Sequence, residues 1–151
     1  MRFILTRELG RLVRWLRILG YDTVYFNRDN TSALIIQALR DNRVILTRNH
    51  RAAASARAKT VLLQSENIKN QLLEILKELK PGINSDMMFT RCIICNAELI
   101  GIDKDKVRER VPEYVFNTQE SFLTCPLCRR IYWQGTHWGN VRAVLKEIGV
   151  S

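Results

Sequence analysis

Long apolar runs, acidic side chains and cysteines outside two short pairs are all scarce in this chain of 151 residues. No stretch approaches the ~20 apolar residues that a membrane-crossing helix needs. Met1 to Arg7 is too short and too charged to be a signal peptide, so a soluble, cytoplasmic protein with no membrane partner is expected. Asp and Glu number 15 against 24 Lys and Arg, a formal net charge of +9, which points to an anionic partner. Hydrophobic residues make up 46% of the chain, enough for one moderate core plus a small module held by a staple.

The excess charge is uneven. Residues 1–80 hold 15 Lys and Arg against 7 Asp and Glu, a balance of +8, and residues 81–151 hold 9 against 8, a balance of +1. Eleven of the 15 basic residues in the first part are arginines, all within the first 57 positions. Arginine presents a planar fork to phosphate oxygens and a face that stacks on bases, whereas a solubilising surface is more often Lys and Glu. Nucleic acid therefore leads as the partner, although an anionic membrane surface or plain solubility would tolerate the same charge.

All four cysteines fall in two CxxC pairs, Cys92-Ile93-Ile94-Cys95 and Cys125-Pro126-Leu127-Cys128. Two intervening residues let one tight turn aim both sulfurs at a single ion, and two such turns close a tetrahedral thiolate shell. Zn²⁺ is the expected cofactor; a closed shell has no open position, so the ion is structural. Disulfides are the other use of four cysteines, but they belong to oxidising compartments.

Residues 1–80 read as alternating strands and helices. Arg2 to Thr6 is a short apolar strand; Arg7 to Leu19 carries Leu9, Leu12, Val13, Leu16 and Leu19 at helical spacing, ended by Gly20. Asp22 to Phe26 is a second strand. Asn30 or Thr31 caps a helix whose apolar face is Leu34, Ile35, Ala38 and Leu39, and Arg43 to Thr47 is a third strand. His50 to Ala58 suits a helix, Thr60 to Gln64 a strand and Glu66 to Leu79 a helix. Four βα units predict an α/β domain over residues 1–80, a parallel sheet flanked by helices, with Lys80-Pro81-Gly82 as the boundary to a zinc ribbon with a C-terminal helix over residues 81–151. Ligands of such sheets bind beyond the carboxyl ends of the strands, here near Thr6, Phe26 to Asn30 and Thr47 to His50.

Arg11, Arg14 and Arg17 recur every third residue on the first helix, and Arg48 and Arg51 flank the end of the third strand. They form either a phosphate track or a solvated helix face. Trp15 lies among core candidates and reads as a packing residue. After Cys128, Arg129 and Arg130 precede Tyr132, Trp133 and Trp138, a mixture able to stack on unpaired nucleotides, or else to pack a ribbon with little core of its own. His137 is redundant as a ligand beside four cysteines and reads as a hydrogen-bonding or RNA-contacting residue. His50 is a general base only if a metal or nucleophile stands near it.

The run from Leu9 to Asp22, Ile45-Leu46-Thr47-Arg48, the two CxxC pairs, Arg91-Cys92, Val111-Pro112 and Tyr132 to Trp138 together resemble the Mut-seven C-terminal RNase domain. The resemblance covers nearly the whole chain. It implies a PIN-like nuclease fold followed by a zinc ribbon, metal-dependent ribonuclease ancestry, and zinc at Cys92, Cys95, Cys125 and Cys128. It also implies acids where this chain has Thr6, Asn30 and Asn49. Hard divalent cations need oxygen ligands and their charge, so three neutral substitutions should cripple a Mg²⁺ or Mn²⁺ site, leaving Asp29 and Glu8 as the remaining candidate acids. The expected function is thus an RNA-binding pseudoenzyme, its RNA ribosomal or otherwise structured, with Arg11, Arg14, Arg17, Arg48, Arg51, Arg129 and Arg130 as contacts. The alternatives are a residual ribonuclease, which alone would require Mg²⁺ or Mn²⁺, and an antitoxin-like module with a protein partner.

Overall fold

A computed structural model describes residues 1–151 except Thr136 and Ser151, and the side chain of His137 also lies outside the described part. The chain forms two units, Met1–Phe89 and Thr90–Ser151.

In the first unit, β1 (Arg2–Thr6), β2 (Asp22–Phe26), β3 (Val44–Thr47) and β4 (Thr60–Leu62) form one sheet in the order β2-β1-β3-β4. Every pairing is parallel, with Thr6 opposite Phe26, Ile4 opposite Ile45 and Leu46 opposite Val61. The two central strands show why: Phe3, Ile4, Leu5, Ile45 and Leu46 are fully buried, the continuous apolar reading of strands covered on both faces. Helices α1 (Gly10–Ile18), α2 (Thr31–Arg40), α3 (His50–Ser55) and α4 (Ile68–Leu79) flank this sheet. Leu34 and Ala38 of α2 join Ile4, Phe26 and Ile45 in one core cluster.

Several expectations are adjusted. Arg7–Leu9 is a 3₁₀ turn that precedes α1, and it turns the chain back over the strand end. Leu39 is exposed, so the buried stripe of α2 is Leu34 and Ala38. The α3 helix stops at Ser55, and α4 begins at Ile68 under an Asn67 cap. The segment after Lys80 packs with the first unit. The Phe89 N–H donates to the Ile18 carbonyl at 2.8 Å, and a Cβ on Gly20, whose φ is +93°, would lie 2.8 Å from the Met87 Cβ.

In the second unit, β5 (Ile100–Ile102), β6 (Phe122–Thr124) and β7 (Ile131–Tyr132) make an antiparallel sheet in that order. Its core is Val107, Val115 and Phe122, with Ile102, Val111, Phe116, Ile131 and Trp133 packed against them. The long segment between the cysteine pairs contributes β5, α5 (Glu113–Thr118) and β6. The terminal helix α6 spans His137–Glu147. No described helix is long and apolar enough to cross a membrane.

Candidate functional site

The carboxyl ends of the central strands open into a cleft of about 500 Å³ lined by Thr6, Arg7, Glu8, Phe26, Arg28, Asp29, Asn30, Thr31, Leu34, Arg48, Asn49 and Ala52. This is where the parallel topology places a ligand. The three positions expected to be acidic, Thr6, Asn30 and Asn49, all line it, and so do both remaining candidate acids.

Glu8, an exposed residue, ties the ends of two strands together at this cleft. The 3₁₀ turn carries it back over the strand ends, where its Oε1 accepts from the Thr6 hydroxyl at 2.6 Å, the Thr47 hydroxyl at 3.2 Å and the Arg48 N–H at 2.9 Å. The two hydroxyls lie 2.8 Å apart. Burial pushes the Glu8 carboxyl up, but donors from Thr6, Arg48, its own backbone and Thr47 outweigh it and hold the group below its usual range. Asp29 instead stands at the rim, 80% exposed, and pairs with Arg7 at 3.2 Å.

Asn30 and Asn49 are helix caps. The Asn30 Oδ1 accepts from Ala33 N–H at 3.0 Å, and the Asn49 Oδ1 accepts from Arg51 and Ala52 N–H at 2.9 and 3.2 Å. The Asn49 Oδ1, with two donors, has both lone pairs engaged, whereas the Asn30 Oδ1 has one.

The arginines divide. Arg48 lines the cleft and reaches Glu66 at 3.7 Å. Two cleft arginines that sequence reasoning missed join it: Arg7, and Arg28, whose guanidinium lies 4.8 Å over the Phe26 ring. Arg11, Arg14 and Arg51 are exposed but are not among the cleft-lining residues. Arg17 does not belong to the exposed stripe at all: it is 7% exposed, and its Nε donates to the Thr23 carbonyl at 3.0 Å. Arg43 and Arg2 are likewise structural, both bound to Asp22 at the amino ends of the strands. His50 is exposed at the start of α3, outside the cleft lining.

In the second unit the Sγ atoms of Cys92, Cys95, Cys125 and Cys128 lie within 4.8 Å of one another. Each pair forms a knuckle built alike. The Cys95 N–H donates to the Cys92 Sγ at 3.3 Å and the Cys128 N–H to the Cys125 Sγ at 3.5 Å. The following residues, Asn96 and Arg129, take left-handed φ of 67° and 63°. Cys92 and Cys125 are fully buried, and the Tyr132 hydroxyl lies 3.0 Å from the Cys92 Sγ. The thiols differ in acidity. The Arg130 backbone N–H draws Cys128 down to about 6, while Cys95, hydrogen-bonded to Cys128, is pushed up to about 12. One soft cation held by all four is what this arrangement of sulfurs fits.

Packing accounts for two of the three aromatics beyond Cys128: Tyr132 contacts the cysteine cluster, and Trp133 packs edge-on against Phe122 at 6.5 Å. Trp138 carries the Arg142 guanidinium 5.2 Å from its ring. Trp15 is half-buried on α1. Arg129 and Arg130 are exposed beside the second knuckle. The role expected of His137 concerns a side chain outside the described residues.

Residues 1–145 match the model of one family, described as the Mut7-C RNase domain. No curated protein and no solved structure matches the chain.

Proposed function

The chain belongs to the Mut7-C RNase domain family, and on that premise we propose that it binds RNA, ribosomal or otherwise structured, on a nuclease-type fold whose divalent-ion site has been converted. One observation carries this reading. Among the described residues, only two acids line the strand-end cleft: Glu8, whose Oε1 has three donors, and Asp29 at the exposed rim, while the oxygens of the neutral Asn30 and Asn49 serve helix caps. Mg²⁺ and Mn²⁺ require several free oxygen ligands, preferably charged, and this set does not fit a two-ion site. The same cleft carries three arginines, which suit phosphate.

Zinc is the ion proposed for the cysteine cluster. Tetrahedral thiolates at ~2.3 Å from Zn²⁺ stand ~3.8 Å apart, and the Cys92 and Cys128 sulfurs are 3.7 Å apart. The ion would act as a structural staple for a unit with a small core.

A residual ribonuclease is the second reading, favoured by Glu8 and Asp29 lining one cleft. Incubating labelled structured and single-stranded RNAs with the protein and Mn²⁺ separates the two. Retention of intact RNA, weakening steeply with salt, is the expected result. Cleavage that disappears in Asp29→Ala would replace the binding reading with the nuclease one.

A further inference from the structure

Resting on the RNA-binding reading, we infer that the strand-end cleft takes a terminal phosphate monoester of RNA rather than an internal stretch of its backbone. The argument begins with polarity. Asn30 and Asn49 line the cleft as neutral amides that can also donate N–H, and their oxygens accept from the first turns of α2 and α3. Arg28 makes no ion pair among the described residues, and its guanidinium is seated over Phe26. Arg7 and Arg48 are paired, but with acids that are 80% and 87% exposed, at 3.2 and 3.7 Å. Such pairs are weak. An incoming phosphate can take both forks while Asp29 and Glu66 turn to solvent.

Charge then selects the ligand. With those two acids displaced, three guanidinium groups face one fixed carboxylate, Glu8, a balance of +2. Glu8 is itself covered by the Thr6 and Thr47 hydroxyls and the Arg48 N–H. A phosphate monoester carries about −1.5 to −2 at neutral pH, whereas a diester carries a single negative charge. Size agrees: about 500 Å³ falls within the ~300–1,000 Å³ of sites that enclose one small molecule, room for one end nucleotide. Either a 5′ or a 3′ phosphate supplies this chemistry.

The test uses the full chain, without added divalent cation, and one short single-stranded RNA sequence with a 5′ phosphate, a 3′ phosphate or hydroxyls at both ends, each titrated by fluorescence anisotropy. One phosphorylated form should bind about tenfold more tightly than the dihydroxyl form, and which form does so identifies the end. Arg28→Ala should erase that preference. Asp29→Asn, at an exposed rim position, should enlarge it by releasing Arg7 and removing a like charge. Equal, salt-sensitive binding of all three RNAs overturns the end-phosphate inference and leaves the RNA-binding reading standing. No binding of any form overturns both. Weaker binding by Asp29→Asn overturns the anion site, because a cation site is the one that loses when its carboxylate is neutralised.

Discussion

The Thr6 hydroxyl donates to the Glu8 Oε1 at 2.6 Å, so the two residues close the carboxyl end of β1. Thr47, at the end of β3, joins the same oxygen at 3.2 Å, so two central strands meet at one carboxylate. A cation site draws several acids together around a positive charge. Here hydroxyls and one backbone N–H surround a single negative charge, and the strand ends are held by donors instead.

Glu8→Gln tests the clip. Folding lowers the Glu8 pKa from its ordinary 4.5, so its contribution is complete above that value and is lost as the pH falls through the lower folded value. The amide keeps an acceptor but loses the charge, and a loss of about 1 kcal/mol at neutral pH is expected, discounted from the ~1.5–3 of a charged hydrogen bond because the site is partly open. Urea unfolding of both proteins at neutral pH and again well below pH 4.5 should show the difference shrinking in acid. An equal difference at both would mean that the charge of Glu8 does not matter to folding.

Arg17 and Arg14 should separate by assay. Arg17→Ala removes a buried charged donor to the Thr23 carbonyl, a cost of about 1–3 kcal/mol. Arg14 is exposed, so Arg14→Ala should leave stability within about 0.5 kcal/mol. Arg11→Glu with Arg14→Glu should reduce RNA affinity if these arginines carry the backbone contacts; unchanged affinity would confine binding to other surfaces and would favour a protein partner for this face.

Metal removal should act on the second unit. Thiolate ligands must be deprotonated to bind, so protons compete with the ion and chelation becomes easier as pH falls. Treatment with a strong chelator should expose four titratable thiols, since all four cysteines lie in the one cluster, and should change the fluorescence of Trp133, which packs on Phe122. Cys125→Ser should lower metal content and produce the same spectral change without chelator. If four thiols react at once in the untreated protein, the cluster is not a metal site.

How far the residues could be read in advance follows from what their neighbours decide. Strands β1 and β3 were legible because they are buried on both faces, which leaves unbroken apolar runs at Phe3 to Leu5 and Val44 to Leu46. The cysteine spacing was legible because a knuckle is a local structure. Arg17 was not: three helical residues advance about 300°, so from Arg11 to Arg17 the side chain swings about 120°. That carries it off the exposed face to the side of Val13, which is buried. Glu8 was legible as an acid but not as the link between two strand ends, because its place depends on a 3₁₀ turn folding the chain back after Thr6. Arg7 and Arg28 gave no periodic signal, being single residues in the turns that follow β1 and β2. Leu39 fits a helical stripe by spacing, yet the sheet is covered before the stripe reaches it.

The two knuckles differ at the position after the second cysteine, and that difference is testable. Asn96 and Arg129 each follow the second cysteine of a pair and hold φ of 67° and 63°. Asparagine tolerates the left-handed region, whereas a residue with a longer side chain pays about 1–2 kcal/mol there. Glycine pays none of that strain but gives the unfolded chain more freedom. Arg129→Gly should therefore stabilise the second unit by up to about 1 kcal/mol, and Asn96→Gly by clearly less. Strain kept at an exposed arginine is a reason to look for a use of its side chain, and Arg129 stands with Arg130 at the edge of the cluster. If the pair contacts RNA, Arg129→Gly gains stability while losing affinity and lowering the salt slope by about 1. Thermal unfolding and a salt titration of RNA binding on the same variant read the two effects apart: a gain in stability with affinity untouched would leave Arg129 as a strained residue with no part in RNA contact.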